Sequence, residues 1–479
     1  MKKTQKKCNK FANMKLKIYY LFICYLLFNG FQLVGQTQPA ALNTFLRSEN
    51  LKHAGISLKA IDLSTGKTLA SYNENMALTP ASNMKMVTTA TALEVLGSSF
   101  CFETPLFYDG IIQNNTLVGN LYIEGSGDPT LGSEFLGDDK ERFLKDWLTG
   151  IRQAGIRQIS GNVIVLDQLY GYEGVSSKWL VEDLGNQYAP GIYGISVFDN
   201  MYRVYLQSFN PGSATSVLYT EPTMSDLQFT NEIKASSSGS DESYIFGWPF
   251  SNQRRLYGSI PANKSSFAAK GDIPDPGLFL ANYFTDYLQK NGIAVSGKAT
   301  TYRLDPKIPE AEIKISTVRS PDLASIIRVV NVRSNNHYAE HLYKLLTIKD
   351  GVDISAYWAS KGLDTSALFM YDGSGTSPQN AISAGFLVQL LEYMDGKGKD
   401  FYYSLPLAGK EGTVATFLKG TSLEGKVRVK SGSITHVQSY SGYIEKGNKR
   451  YAFSIIVNNF TGKRADLKRE IEKLLVGIG

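Results

Sequence analysis

Ser82 and Lys85 stand three residues apart in Thr79-Pro-Ala-Ser-Asn-Met-Lys85, at the head of a segment that runs to Gly97 with almost no polar face. Met84, Met86, Val87, Ala90, Leu93 and Val95 predict a buried helix, with Pro80 suited to its first turn and Gly97 to its stop. At that spacing the two side chains share one face of the first turn, where free backbone N–H groups and the helix dipole favour developing negative charge. A lysine buried there gives up its proton readily, because desolvation disfavours the ammonium. A neutral amine beside a hydroxyl is a general base beside a nucleophile, the arrangement of Ser-Lys acyl transfer. The spacing alone decides little. Ser64 and Lys67 repeat it inside Asp62-Leu-Ser-Thr-Gly-Lys-Thr68, which reads as a hairpin turn.

Two further groups carry suitable residues. Ser334 and Asn336 lie between two helical patterns, Asp322 to Val330 and His337 to Leu346, and Lys430-Ser431-Gly432-Ser433 lies on a strand pattern that begins near Gly425. A rival chemistry is written beside the second group. His337-Tyr-Ala-Glu-His341 matches the inverted zinc-protease pattern, with His337 and His341 as ligands on one helix face and Glu340 as base. That site needs a third ligand, and the other two histidines, His53 and His436, supply no obvious one. A Ser-His-Asp triad has no Gly-x-Ser-x-Gly elbow to stand on.

The chain that must position these groups has 479 residues, 43% hydrophobic and 20% charged, ordinary values for a globular protein of more than one domain. Its formal charge of +6 comes from the N-terminus, where seven lysines and no acid precede residue 36; the remainder holds 43 basic and 44 acidic residues. Nothing in that balance points to nucleic acid. Those lysines, the apolar run Ile18 to Phe28, and Gly35-Gln36 together resemble a secretory signal peptide over 1–35, with an uncleaved anchor as the alternative. Cys8 and Cys24 fall within it, leaving Cys101 with no internal partner, and a buried structural thiol is the reading for it.

Ala41 to Leu46 reads as a short helix, and Gly55 to Asp62 with Lys67 to Tyr72 as a hairpin, directly before the Ser82 helix. Strand patterns follow at Leu106 to Gly110, Leu117 to Ile123 and Gly161 to Leu166, with a helix near Lys140 to Ala154. A Tyr-, Ser- and Gly-rich stretch over 167–270 holds more strands. The helix Pro276 to Lys290 and a strand near Ala294 to Tyr302 come next, and a helical pattern resumes near 315. Strands at Gln438 to Ile444 and Arg450 to Asn458 precede a final helix, Arg464 to Val476. Strands at both ends of the chain, with helices between, predict an α/β (α+β) domain of 36–100 plus 304–479. It would be interrupted by a second domain of 101–166 plus 271–303, with a β-rich third domain, 167–270, nested in the second.

In this order Ser82-x-x-Lys85, Ser334-x-Asn336 and Lys430-Ser-Gly432 resemble the three motifs of the penicillin-recognising serine enzymes. About 250 residues separate the first two motifs, and Gly125-Ser-Gly-Asp-Pro-Thr-Leu131, Asp372-Gly-Ser-Gly375 and Leu405-Pro-Leu-Ala-Gly409 are also present. The combination resembles the D-alanyl-D-alanine carboxypeptidase family of low-molecular-mass penicillin-binding protein 4, over nearly the whole chain beyond residue 35. The resemblance implies a penicillin-binding transpeptidase-like, β-lactamase-like fold with an antiparallel sheet. It implies attack by Ser82 on the bond between two D-alanines, with Lys85 taking the proton and the N–H groups of Ser82 and Ser433 holding the oxyanion. Ser334 would relay a proton to the leaving amine, Asn336 would hold the acyl-side amide, and Lys430 with Ser431 would receive the substrate carboxylate. Peptidoglycan stem peptides would be substrates, for carboxypeptidase or DD-endopeptidase action, β-lactams inhibitors, and no metal or organic cofactor would be needed. The non-enzymatic alternative is an exported penicillin- or peptidoglycan-binding protein with negligible turnover, against which intact Ser82, Lys85, Ser334, Asn336 and Lys430 argue. The enzyme would be exported, to the periplasm first of all. Ser431 and Asn335 stand where the family more often has Thr and Asp, and neither change removes a catalytic group. Pro378 replaces a residue that is basic in many relatives, so side-chain preference is not carried over. Asp128 and Asp372, among glycines, read first as turn builders.

Overall fold

The computed structural model describes residues 39–137, 139–308 and 313–478. The expected signal peptide at 1–35 lies outside them. A five-stranded antiparallel sheet joins the two ends of this stretch, in the order Val427–Ile434, Val437–Lys446, Lys449–Asn458, Gly55–Asp62, Thr68–Tyr72. Its first strand by sequence therefore pairs with its last, Gly55 opposite Asn458 and Asp62 opposite Tyr451.

Alternation along these strands sends side chains to two cores. Ile56, Leu58 and Ala60 with Phe453, Ile455 and Val457 face the helices Ala40–Leu46 and Arg464–Ile478. Ile61, Ala452, Ile456 and Tyr443 face the other way, onto Met84, Met86, Val87 and Ala90 of Met84–Leu96 and onto Phe386, Leu390 and Leu391 of Ala384–Asp395. A helix buried against a sheet and flanked by other helices needs no polar face, which is why Met84–Leu96 shows almost none.

The chain between these ends builds other sheets. One has the order Ala299–Thr301, Val163–Leu166, Leu121–Glu124, Glu103–Tyr108, Ile313–Arg319, covered by the helices Arg142–Gln153 and Pro276–Lys290. Ile313–Arg319 is a strand, antiparallel to Glu103–Tyr108, where the sequence reading has a helical pattern resuming. Its residues are mostly half-buried on a sheet edge, so they lack the clean alternation that marks a strand. The single strand read at Ala294 to Tyr302 is two, Ala294–Val295 and Ala299–Thr301, pairing with different sheets. Residues 201–272 form two small sheets around Tyr202, Val204, Leu206, Leu256 and Ile260. Cys101 is half-buried and free, with its thiol on the Ser99 carbonyl at 3.6 Å. No helix among the described residues is long and apolar enough to cross a membrane.

Leu323–Arg333 and Asn336–Lys344 are separated by a single elbow. Ser334 takes a left-handed conformation (φ 55°) that ends the first helix, and the Asn335 side chain accepts from the Tyr338 amide at 2.9 Å to cap the second. The elbow places Ser334 and Asn336 at the head of a helix that packs on Met84–Leu96.

Candidate active site

Ser82 lies in a one-turn 3₁₀ segment, Ala81–Asn83, just ahead of the α-helix Met84–Leu96. The sequence reading has Ser82 inside the first α-turn; Ala81 at φ 48° breaks the regular path there and turns the serine out toward a cleft. Three distant segments hold the turn. The Ser439 hydroxyl donates to the Pro80 carbonyl at 2.6 Å, and the Asn83 amide donates to Ser441 Oγ at 2.9 Å. Gly432 lies so close that a Cβ there would meet the Pro80 carbonyl oxygen at 2.4 Å, and one on Gly375 would meet the Ala81 carbonyl oxygen at 1.9 Å.

Lys85 is fully buried on the next turn. Its Nζ is 3.0 Å from Ser82 Oγ, 2.6 Å from Asn336 Oδ1 and 2.6 Å from the Ser374 carbonyl oxygen. Burial pulls its pKa down to about 7, against the opposing pull of Glu340 and Asp372. The amine is thus poised to exchange a proton with Ser82 near neutral pH. Lys430, also fully buried, donates to Ser334 Oγ at 2.9 Å and to the Ser431 carbonyl at 2.6 Å. Burial, with the charge of Lys85 behind it, holds Lys430 well below the usual lysine range.

Asn336 links the two walls of the cleft, since its Nδ2 donates to the Tyr188 carbonyl at 2.7 Å while its Oδ1 accepts from Lys85. Ser431 Oγ pairs with Thr413 Oγ1 at 2.9 Å. The cleft measures about 980 Å³; Ser82, Ser334, Asn336, Ser431 and Ser433 line it, with Asp183 and Tyr188 on the far side. Lys85, Lys430 and Gly432 are buried beneath that surface. All eight residues singled out from the sequence therefore meet in one place, five on the surface of the cleft and three under it.

Other residues complete the arrangement. Asp372 is buried and accepts from the Gly375 amide (2.8 Å), the Ser377 amide (2.6 Å), Asn380 Nδ2 (2.7 Å) and Trp179 Nε1 (2.8 Å), so it organises the loop that carries the Ser374 carbonyl. Glu340 grips the same loop, one oxygen on the Ser374 amide at 2.7 Å and the other on the Gly373 amide at 3.2 Å. Burial and the charge of Asp372 raise Glu340 to about 7. The turn reading of Asp372 describes its bonds, while its closeness to Lys85 had no sequence signal beyond the glycine-rich Asp372-Gly-Ser-Gly375.

In the zinc pattern one nitrogen of each imidazole is taken by another partner, while His337 Nδ1 and His341 Nε2 are buried with no hydrogen-bond partner among the described residues. His337 Nε2 faces the Ser196 hydroxyl at 2.6 Å and His341 Nδ1 the Gly127 carbonyl at 2.9 Å. Burial pushes both imidazoles down, His337 to about 3. Glu340 is occupied by the two backbone amides, and no group of three or more His, Cys, Asp or Glu side chains suited to a metal occurs among the described residues.

The profile of the D-Ala-D-Ala carboxypeptidase 3 (S13) family matches residues 38–478. A D-alanyl-D-alanine carboxypeptidase from an Actinomadura species is 28% identical over 449 residues, covering 88% of this chain and 81% of that protein. The crystal structure of penicillin binding protein 4 from Haemophilus influenzae superposes with a TM-score of 0.78 at 20% identity, over 91% of this chain and 98% of that one. A second structure of the same protein, complexed with a β-lactam, gives 0.72 at 22% identity over the same shares.

Proposed function

The chain belongs to the D-Ala-D-Ala carboxypeptidase 3 (S13) family, and on that premise we propose that Ser82 is its nucleophile and Lys85 the base that activates it. The enzyme is a serine-type D-Ala-D-Ala carboxypeptidase, a hydrolase of peptidoglycan stem peptides. The observation that carries the assignment is the 3.0 Å approach of a fully buried amine to the Ser82 hydroxyl.

Ser82 Oγ attacks the penultimate D-alanine carbonyl as Lys85 takes its proton, and the oxyanion forms against the N–H groups of Ser82 and Ser433. Such donors contribute several kcal/mol, about 3–4 for one of them. Ser334, held by Lys430, relays the proton that Lys85 took on to the departing D-alanine amine, which leaves Lys85 neutral again. Lys430, Ser431 and its partner Thr413 receive the terminal carboxylate, whose arrival restores charge to Lys430. Asn336 takes the acyl-side amide. Water then enters the vacated leaving-group side and attacks the ester as Lys85 takes its proton; Lys85 returns that proton to Ser82 Oγ as the acyl–oxygen bond breaks, freeing the acid and restoring the serine. A β-lactam forms the same ester on Ser82, but its amine stays tethered and blocks that water. The same acyl-enzyme would serve a DD-endopeptidase, since the two activities differ only in what occupies the leaving side.

The peptidoglycan wall lies outside the cytoplasmic membrane, and the basic-then-apolar start of the chain supports export, to the periplasm where there is an outer membrane. Intact mass after incubation with a penicillin tests the assignment. An adduct on the wild type and none on Ser82→Ala is the expected result; no adduct on either sinks it.

A further inference from the structure

Glu340 is a buried carboxylate that the reaction scheme leaves unused, yet both its oxygens are committed to the loop behind Lys85. A neutral lysine amine has two N–H donors and one lone pair, and works as a base only when the lone pair faces the proton it is to take. Of the three groups around Lys85 Nζ, the Asn336 amide oxygen and the Ser374 carbonyl only accept, each at 2.6 Å, whereas the Ser82 hydroxyl can also donate. Two pure acceptors claim the two N–H groups. The lone pair is left pointing at Ser82.

One helix fixes both acceptors. Asn336 and Glu340 lie four residues apart on Asn336–Lys344, hence on one face. Asn336 acts directly. Glu340 acts through the Gly373 and Ser374 amides, fixing the two peptide units that lead into the Ser374–Gly375 peptide whose carbonyl reaches Lys85, while Asp372 takes the Gly375 N–H of that peptide itself.

We infer that Glu340 is a positioning residue for acyl transfer, its grip on the Gly373–Ser374 amides presenting the Ser374 carbonyl so that the Lys85 lone pair faces Ser82. The inference rests on the Ser82–Lys85 assignment and deepens it. Asp372 organises the same loop from its other side, and Lys85, Lys344, Tyr343 and Asp372 are the titratable groups close enough to feel the Glu340 charge.

The test compares wild type, Glu340→Gln and Glu340→Asp, reading the rate of penicillin adduct formation per folded molecule, kcat and KM for D-alanine release, and the pH profile of acylation. A Gln can accept one amide but turns an NH₂ toward the other; an Asp keeps the charge and falls short of the loop. Both should fold and slow acylation and kcat by about 10- to 100-fold with KM little changed. Glu340→Gln should in addition move the acid-side midpoint to lower pH, because a negative neighbour of Lys85 is gone, while Glu340→Asp keeps it. Tyr338→Phe on the same helix, which loses the hydroxyl's interactions with Ser133 Oγ and Asp199, is the control for loosened packing and should acylate at the wild-type rate per folded molecule. Should Glu340→Gln fail to fold, Glu340→Asp still decides the matter. Wild-type rates and midpoint in the folded variants overturn the inference alone; no adduct on the wild type sinks the serine assignment and this inference with it.

Discussion

Lys85 and Lys430 are both fully buried and hold different serines, Lys85 at 3.0 Å from Ser82 Oγ and Lys430 at 2.9 Å from Ser334 Oγ. Both are pulled below the usual lysine range by burial, and the charge of Lys85 lowers Lys430 further. The site disfavours two ammonium ions at once, which suits one lysine acting as base while the other receives an anion.

This pairing predicts the pH dependence. Lys85 must be neutral to take the Ser82 proton, and its pKa is about 7, so kcat/KM should fall tenfold per unit below that point and level off above it. On the basic side, activity should decline well before the ordinary lysine value of 10.5, as free Lys430 loses its charge. A profile with no acid limb between pH 5 and about 8 would remove Lys85 from the base role.

Gly432 has no room for a side chain, because a Cβ there would meet both the backbone oxygen of Pro80 and Ser439 Oγ at 2.4 Å. Gly432→Ala should therefore push the Lys430 strand away from the Ser82 turn. We expect a loss of about 1–3 kcal/mol in stability and a fall in acylation larger than the stability change explains, read by thermal melting and by penicillin adduct formation on the same sample.

Trp179 donates to Asp372 from a stretch far from it in sequence. In Trp179→Phe that buried carboxylate oxygen keeps only the Ser377 amide, and a hydrogen bond to a charged group is worth about 1.5–3 kcal/mol. The variant should melt earlier and acylate more slowly, because the Ser374 carbonyl moves with the loop. Unchanged acylation in a destabilised Trp179→Phe would show that the loop position does not matter to Lys85.

Asp128 holds the Thr130 amide and hydroxyl with Oδ1, while its buried Oδ2 has no partner among the described residues. Burial lifts its pKa from 3.8 to about 6, so between those values the folded state binds the proton that the unfolded state has released. Stability therefore falls as pH rises through that window, by of order 1–3 kcal/mol from this group. Asn has an oxygen for the same two donors and no charge to bury. The Tm of Asp128→Asn relative to wild type should accordingly be higher at pH 7.5 than at pH 4; the reverse trend would contradict the burial argument.

The sequence was most readable where chemistry and local pattern coincide. Ser82 and Lys85 announce themselves because the helix they head is apolar almost all round, Ser334 and Asn336 because they stand at the junction of two helical patterns, and Lys430 because it lies on a strand pattern that runs into Ser-Gly-Ser. The groups that tune them are harder to see. The Ser374 carbonyl is a backbone atom 289 residues from Lys85, and no side-chain pattern encodes where it points. Glu340 was visible, but beside two histidines it reads as part of a metal pattern; only the direction of its carboxylate, toward two amides, separates the readings. The strand Ile313–Arg319 was missed because a half-buried edge carries little periodicity. The helix Ala384–Asp395 is hard to see because it follows a turn-rich stretch and only Gln389, Glu392 and Asp395 mark its outer side, too few to set its period.

The grip of Ser439 on the Pro80 carbonyl and of Asn83 on Ser441 spans more than 350 residues of chain. A ribosome reaches Ser82 early and the strands that shape its turn almost last. Until the Val427–Ile434 and Val437–Lys446 hairpin has been made and has docked, the turn around Ser82 lacks its clamps, so on the proposed assignment birth order itself would keep the serine silent. A chain cut short before that hairpin would carry Ser82 and Lys85 intact and still be blind to penicillin.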